Sequence, residues 1–184
     1  STIIKNPENS IVAKRIKRSE GPLFKFLYLM HKLITLIFTG KKINFGNYSC
    51  LTKKDVETLS TKPSLWSSFS GSVKKYISNY NEIDSIRGLR YFGPSKMSLF
   101  KLLIHSFSII AVFKKDVFLR SAIMIIILSF LSIKLTMNII LLQIFLVIFN
   151  LVIYLVSLRE NKKELFESHQ NVKDFSDITH WKVV

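Results

Sequence analysis

The chain has 184 residues, with 27 Lys and Arg against 12 Asp and Glu, a net charge of +15, and 48% hydrophobic residues. One cysteine, Cys50, excludes an internal disulfide and a cysteine-based metal site, as expected of a cytosolic face. The histidines at 31, 105, 169 and 180 lack metal-ligand spacing, and the sequence has no phosphate loop, dinucleotide fingerprint, nucleophile elbow or D-x-D motif.

Residues 1–20 are polar and basic and resemble neither a signal nor a transit peptide. Within them Ile11-Val12-Ala13 reads as a short strand, and Lys14-Arg15-Ile16-Lys17-Arg18 as a solvated loop. A helix is predicted from about Ser19, its N-cap, with Pro22 in the first turn and Gly40 as C-cap. Its polar positions Lys25, Tyr28, Lys32 and Thr35 form one narrow stripe, so most of its surface must meet protein, or protein and lipid together. Gly46 and Asn47 mark a tight backbone bend. Thr52 and Asp55 then have capping-box spacing at the start of a short helix. After Pro63, Leu65, Trp66, Phe69, Val73, Tyr76 and Ile77 recur at helical spacing and are assigned to the core.

Residues 83–90 read as a strand containing a glycine, and a turn at 91–97 opens a helix reaching about Phe113. That helix has Ser98, Lys101, His105 and Ser108 on one face, and Leu99, Leu102, Leu103, Ile109, Ile110 and Phe113 on the other. This pattern suits a helix lying in a membrane interface. Two long apolar runs follow, Val117 to about Ile133 and about Asn138 to Leu158, separated by Lys134, Leu135, Thr136 and Met137. Each has roughly the 17–25 residues that cross a bilayer. They are expected to form a transmembrane hairpin whose basic flanks hold both termini in the cytoplasm. The tail from Arg159 mixes charges of both signs.

Residues 87–96 (RGLRYFGPSK) carry the clearest chemistry. Gly93 lets the backbone approach a ligand, Ser95 is placed to cap the next helix, and Arg90 and Lys96 add positive charge. Just before an interfacial helix, such a turn would clamp the phosphate of a membrane-held lipid. The plainer alternative is a basic juxtamembrane turn.

Arg90-Tyr91-Phe92-Gly93-Pro94-Ser95-Lys96-Met97 resembles the R-x-x-G-x-S-K-hydrophobic motif of family 2 glycosyltransferases. The likeness is to the branch that includes the dolichyl-phosphate mannose synthases and bacterial polyprenyl-phosphate sugar transferases. Phe45-Gly46-Asn47-Tyr48-Ser49 and Lys53–Leu59 resemble that branch's G-[SG]-F-[RS] segment and the short helix after it, and the order of elements over residues 11–158 is also similar.

The resemblance implies an α/β fold: the C-terminal part of a GT-A Rossmann-like domain at 1–94, mostly helical, without the D-x-D half that binds a nucleotide-sugar. An interfacial amphipathic helix at 95–116, a two-helix transmembrane hairpin at 117–158 and a cytoplasmic tail at 159–184 would follow. It places Arg90, Ser95 and Lys96 on the phosphate of the lipid acceptor, Arg15 near the donor diphosphate, and Gly46, Asn47 and Gly93 in the motif backbone. No cofactor is expected in this chain, and a divalent metal, Mg or Mn, in the full-length enzyme. The branch has an arginine where this chain has Ser49, so a lipid-linked saccharide or another envelope glycan precursor stays open as acceptor beside polyprenyl phosphate.

The expected partners are the lipid bilayer, a membrane-held acceptor and, for the full-length enzyme, a nucleotide-sugar. The expected location is a bacterial inner membrane. The alternative is a non-catalytic two-span anchor or partner subunit. Nucleic-acid binding ranks last, because the basic residues are scattered at element ends rather than along one helix face.

Overall fold

The computed structural model describes residues 8–17, 21–86, 98–131 and 136–168. It is mostly helical, with a three-stranded mixed sheet. β1 (Ser10–Lys17) lies between β2 (Phe45–Cys50) and β3 (Tyr80–Ile86), antiparallel to the first and parallel to the second. The basic run expected to be a loop is therefore strand as far as Lys17. Pairing on both sides satisfies its backbone, and the half-buried Lys14 reaches Glu82 of β3 at 3.4 Å. The third strand begins at Tyr80, three residues before its predicted start. Gly46 and Asn47, read as a bend, lie within β2.

One face of the sheet packs Val12, Phe45, Leu59, Val73 and Ile77 into a core. Leu59 comes from the short helix Lys53–Ser60, and Val73 from the helix Phe69–Tyr76. With the long helix Pro22–Thr39 as α1, these are α2 and α4, and Ser64–Ser67 between them is α3. At the start of α2, Thr52 Oγ1 accepts the Asp55 N–H at 3.3 Å, as its spacing predicted. The Asp55 carboxylate does not return to Thr52, as a capping box would require. It accepts from the Ser10 hydroxyl, whose oxygen in turn accepts the Thr52 N–H at 3.0 Å. Ser10 thus ties the start of β1 to the start of α2. The helical stretch expected after Pro63 is broken at Ser68, which is extended and caps α4 by accepting the Gly71 N–H at 3.2 Å. Trp66, assigned to the core, is 45% exposed.

Pro22 begins α1 after Gly21, and no side chain caps that end, so the expected cap at Ser19 is corrected; Ser19 itself lies outside the described residues. The C-terminal stop is at Gly40 as predicted, with φ of 68° and its N–H donated to Leu36 O at 2.8 Å. Only the C-terminal part of α1 is well covered; Leu23, Phe26, Leu29 and Leu33 are exposed.

α5 (Leu99–Ala111) is capped by Ser98, whose Oγ accepts the Lys101 N–H at 3.3 Å, so Ser95 is not its cap. Its predicted apolar face divides. Leu99 and Leu103 are exposed with Phe100, whereas Ile109 and Ile110 are buried in protein.

α6 (Lys114–Leu131) and α7 (Thr136–Ser157) run antiparallel, and a short α8 (Lys162–Phe166) follows. Lys114 meets Glu160 at 3.3 Å at one end. Further along, Gln143 Nε2 donates to Ser129 Oγ at 2.9 Å and to Ile125 O at 3.3 Å. A second core joins Phe38 of α1, Ile110 of α5, Val117 of α6, and Leu146, Phe149 and Ile153 of α7.

Among the described residues one helix, Met137–Ser157, is long and apolar enough to cross a membrane; its 21 residues extend about 31 Å. α6 carries Lys114, Lys115, Asp116 and Arg120, and its uncharged part from Ser121 to Leu131 covers only about 16 Å.

Candidate functional site

The parallel pair sets the site's position. β1 and β3 run side by side to their C-terminal ends, where Lys17 pairs with Ile86. In open α/β sheets, ligands bind outside that end. Arg15 lies one turn of the pleat before it, opposite Ser85, with its backbone N–H held by Asn44 O at 3.0 Å. Its guanidinium folds back across Gly46 of β2, occupying the space a Cβ there would need. The β1–β2 ladder is irregular at this point: residues 46–48 lie opposite the single residue 13 of β1, so Gly46 stands in a bulge beside the Arg15 side chain.

Lys14 has Glu82 as a counter-charge, but no ion pair to Arg15 exists among the described residues. His105 of α5 stands close enough to feel the Arg15 charge. Burial, and secondarily that guanidinium, lower its pKa from the ordinary 6.5. The site therefore presents a permanent cation with no carboxylate partner among the described residues, an arrangement receptive to an anion.

In sequence, residues 87–97 lie between Ile86, the partner of Lys17, and Ser98, the cap of the helix that carries His105. Arg90, Gly93, Ser95 and Lys96 belong to that segment and lie outside the described residues. Of the residues singled out in the sequence, Arg15 and Gly46 are brought together, and Asn47 follows them on the exposed side of β2. His105 had been placed only on the polar stripe of an interfacial helix. Its electrostatic coupling to Arg15 depends on how α5 packs in the fold, which no local pattern encodes. That packing is fixed in part by Lys75 of α4, whose Nζ donates to Val112 O at 2.5 Å just beyond α5. Among the described residues no group of acidic, histidine or cysteine side chains could hold a metal.

Comparison of the chain with family models, with curated proteins and with solved structures gives no match.

The His105 environment gives a direct prediction. Its imidazole should titrate below 6.5 by NMR, and Arg15→Gln should raise that value only part of the way back, because burial is the larger cause. The folded chain binds this proton less readily than the unfolded chain. His105 therefore withdraws stability as pH falls through 6.5, and the loss levels off below the folded value. A His105 pKa unchanged by Arg15→Gln would separate the two side chains.

Proposed function

We propose that this chain is the acceptor-positioning and membrane-docking part of a glycosyltransferase of the family 2 type. Its activity in the full-length enzyme is transfer of a sugar from a nucleotide-sugar to a membrane-held acceptor in cell-envelope glycan or lipid-linked sugar synthesis. The observation that carries the reading is Arg15, without an ion pair among the described residues, at the C-terminal end of a parallel strand pair that the R-x-x-G-x-S-K segment follows in the chain.

In the reaction, the bond between the sugar's anomeric carbon and the donor diphosphate breaks as a bond to an acceptor oxygen forms. Negative charge grows on the departing diphosphate, and fixed cations facing it lower the barrier. Arg15 is the described group suited to that charge. Arg90 and Lys96 would hold the acceptor's own phosphate, and Ser95 would donate to it. A divalent metal, Mg or Mn, would belong to the donor-binding half of the full-length enzyme.

The second part of the proposal is anchorage. α7 crosses the bilayer and α6 returns beside it, with Arg120 extending its side chain towards the head groups. The exposed apolar faces of α1 and of the first turns of α5 rest at the cytoplasmic interface. This placement keeps the Arg15 site within reach of a lipid head group.

The test is transfer itself. Full-length protein in bilayer vesicles, supplied with nucleotide-sugars and either polyprenyl phosphate or a lipid-linked saccharide, should deliver labelled sugar to the lipid fraction. Correctly inserted protein that transfers to neither acceptor from any donor would leave the non-catalytic anchor as the better reading.

A further inference from the structure

We propose that the groove between α6 and α7, where the end of α1 meets them, is a binding site for one anionic phospholipid of the surrounding leaflet. The inference rests on the reading of α6 and α7 as membrane-embedded and adds a specific ligand to it. The groove opens into a hollow of about 380 Å³. Phe38 of α1 closes one end, Met124 and Leu128 of α6 form one wall, and Leu142, Phe145 and Leu146 of α7 form the other. Every lining side chain is aliphatic, aromatic or thioether, so the hollow has nothing to offer water and suits a hydrocarbon chain.

A cation stands over it. Arg120 is one helical turn from Met124 on the same face of α6, towards the end where Lys114 pairs with Glu160. Its guanidinium lies against Gly40 and donates to Ile37 O at 3.4 Å, so it sits at the C-terminus of α1, two residues beyond Phe38. Lys41 and Lys42 follow Gly40 directly, and both are exposed. Among the described residues none of these three cations has a carboxylate partner; Asp116, one turn from Arg120 on α6, makes no ion pair with it. Three exposed cations gathered at the end of α1, the helix whose Phe38 lines the hollow, are complementary to an amphiphile with an anionic phosphodiester head and an acyl tail. A zwitterionic lipid would bring its own ammonium into the same cluster.

The measurement uses the full chain with Trp66 and Trp181 replaced by phenylalanine and Phe145→Trp as reporter in the hollow. It is reconstituted in vesicles with equal mole fractions of phosphatidylglycerol and phosphatidylcholine, one or the other carrying brominated acyl chains. Brominated phosphatidylglycerol should quench the reporter with about fivefold higher apparent affinity than brominated phosphatidylcholine. Arg120→Gln should reduce that preference to near parity, and Arg120→Lys should keep most of it if charge, rather than the helix cap, selects the lipid. Equal quenching by both lipids in the unsubstituted background would overturn the site while leaving the hairpin in the membrane. Quenching by neither would overturn the membrane placement and the site with it.

Discussion

Leu59→Ala is expected to remove about 2–5 kcal/mol of stability, the cost of truncating a fully buried leucine. Leu59 is 2% exposed and shares one core with Val12, Phe45, Val73 and Ile77, so it joins α2 to β1, β2 and α4. A single small core of this kind supports roughly 5–15 kcal/mol in total. α2 has eight residues and no stability of its own, so loss of its one deep anchor also releases the Ser10 and Asp55 contacts at its start. The change should appear in urea unfolding followed by Trp66 fluorescence in a Trp181→Phe background. Phe149→Ala is the informative contrast. Phe149 stacks among Phe38, Phe107 and Phe145, with centroids at 4.2 to 6.2 Å. In a bilayer its removal forfeits packing but not transfer from water, because lipid tails are as apolar as the core. The phenylalanine should then cost less than the leucine despite its larger volume. A Leu59→Ala effect within about 0.5 kcal/mol, the range of ordinary surface substitutions, would mean that the sheet core is not cooperatively packed.

The two substitutions separate the parts of the molecule that sequence reveals differently. The stop of α1 at Gly40 and the cap at Thr52 were legible because glycine tolerates a left-handed backbone and threonine offers an oxygen to a free amide, both within a few residues. The apolar length of α7 was legible from composition alone. Where partners come from elsewhere in the chain, the pattern misled. A run of Lys, Arg and Lys reads as solvated, yet as β1 it is the central strand because β2 and β3 flank it. Gly46 beside Asn47 reads as a bend and lies at an irregularity of the β1–β2 ladder, but the Arg15 side chain against Gly46 is not visible in sequence. The break at Ser68 lay hidden because apolar residues keep helical spacing on both sides of it. α6 reads as a span from its apolar residues, but its described helix starts at Lys114, which leaves a short uncharged stretch. The Arg15–His105 approach and the Arg120–Gly40 contact join segments 90 and 80 residues apart, and only the packed structure brings them together.

The largest expected functional effect follows from the first of those approaches. On the proposed glycosyltransferase reading, Arg15→Gln should lower sugar transfer by about 10- to 100-fold, the worth of a charge-assisted hydrogen bond to a phosphate oxygen. Arg90→Ala and Lys96→Ala should each fall in the same range. Loss through general unfolding is excluded by a companion substitution that keeps the charge and moves it. A Cβ at position 46 would meet the far end of the flexible Arg15 side chain, so Gly46→Val should displace the guanidinium, and urea unfolding checks that the sheet survives. If Arg15 acts on the reacting phosphate, Gly46→Val should lose transfer nearly as severely as Arg15→Gln, with urea unfolding little changed. The kinetic split then assigns the phosphate. Arg15 variants that lower kcat with the acceptor's KM unchanged place the cation on the departing diphosphate, where charge develops only in the transition state. A raised acceptor KM with kcat preserved places Arg15 beside Arg90 and Lys96 on the lipid. Wild-type transfer in both Arg15→Gln and Gly46→Val would show that the Arg15 guanidinium faces no substrate, and the proposed site would fall with it.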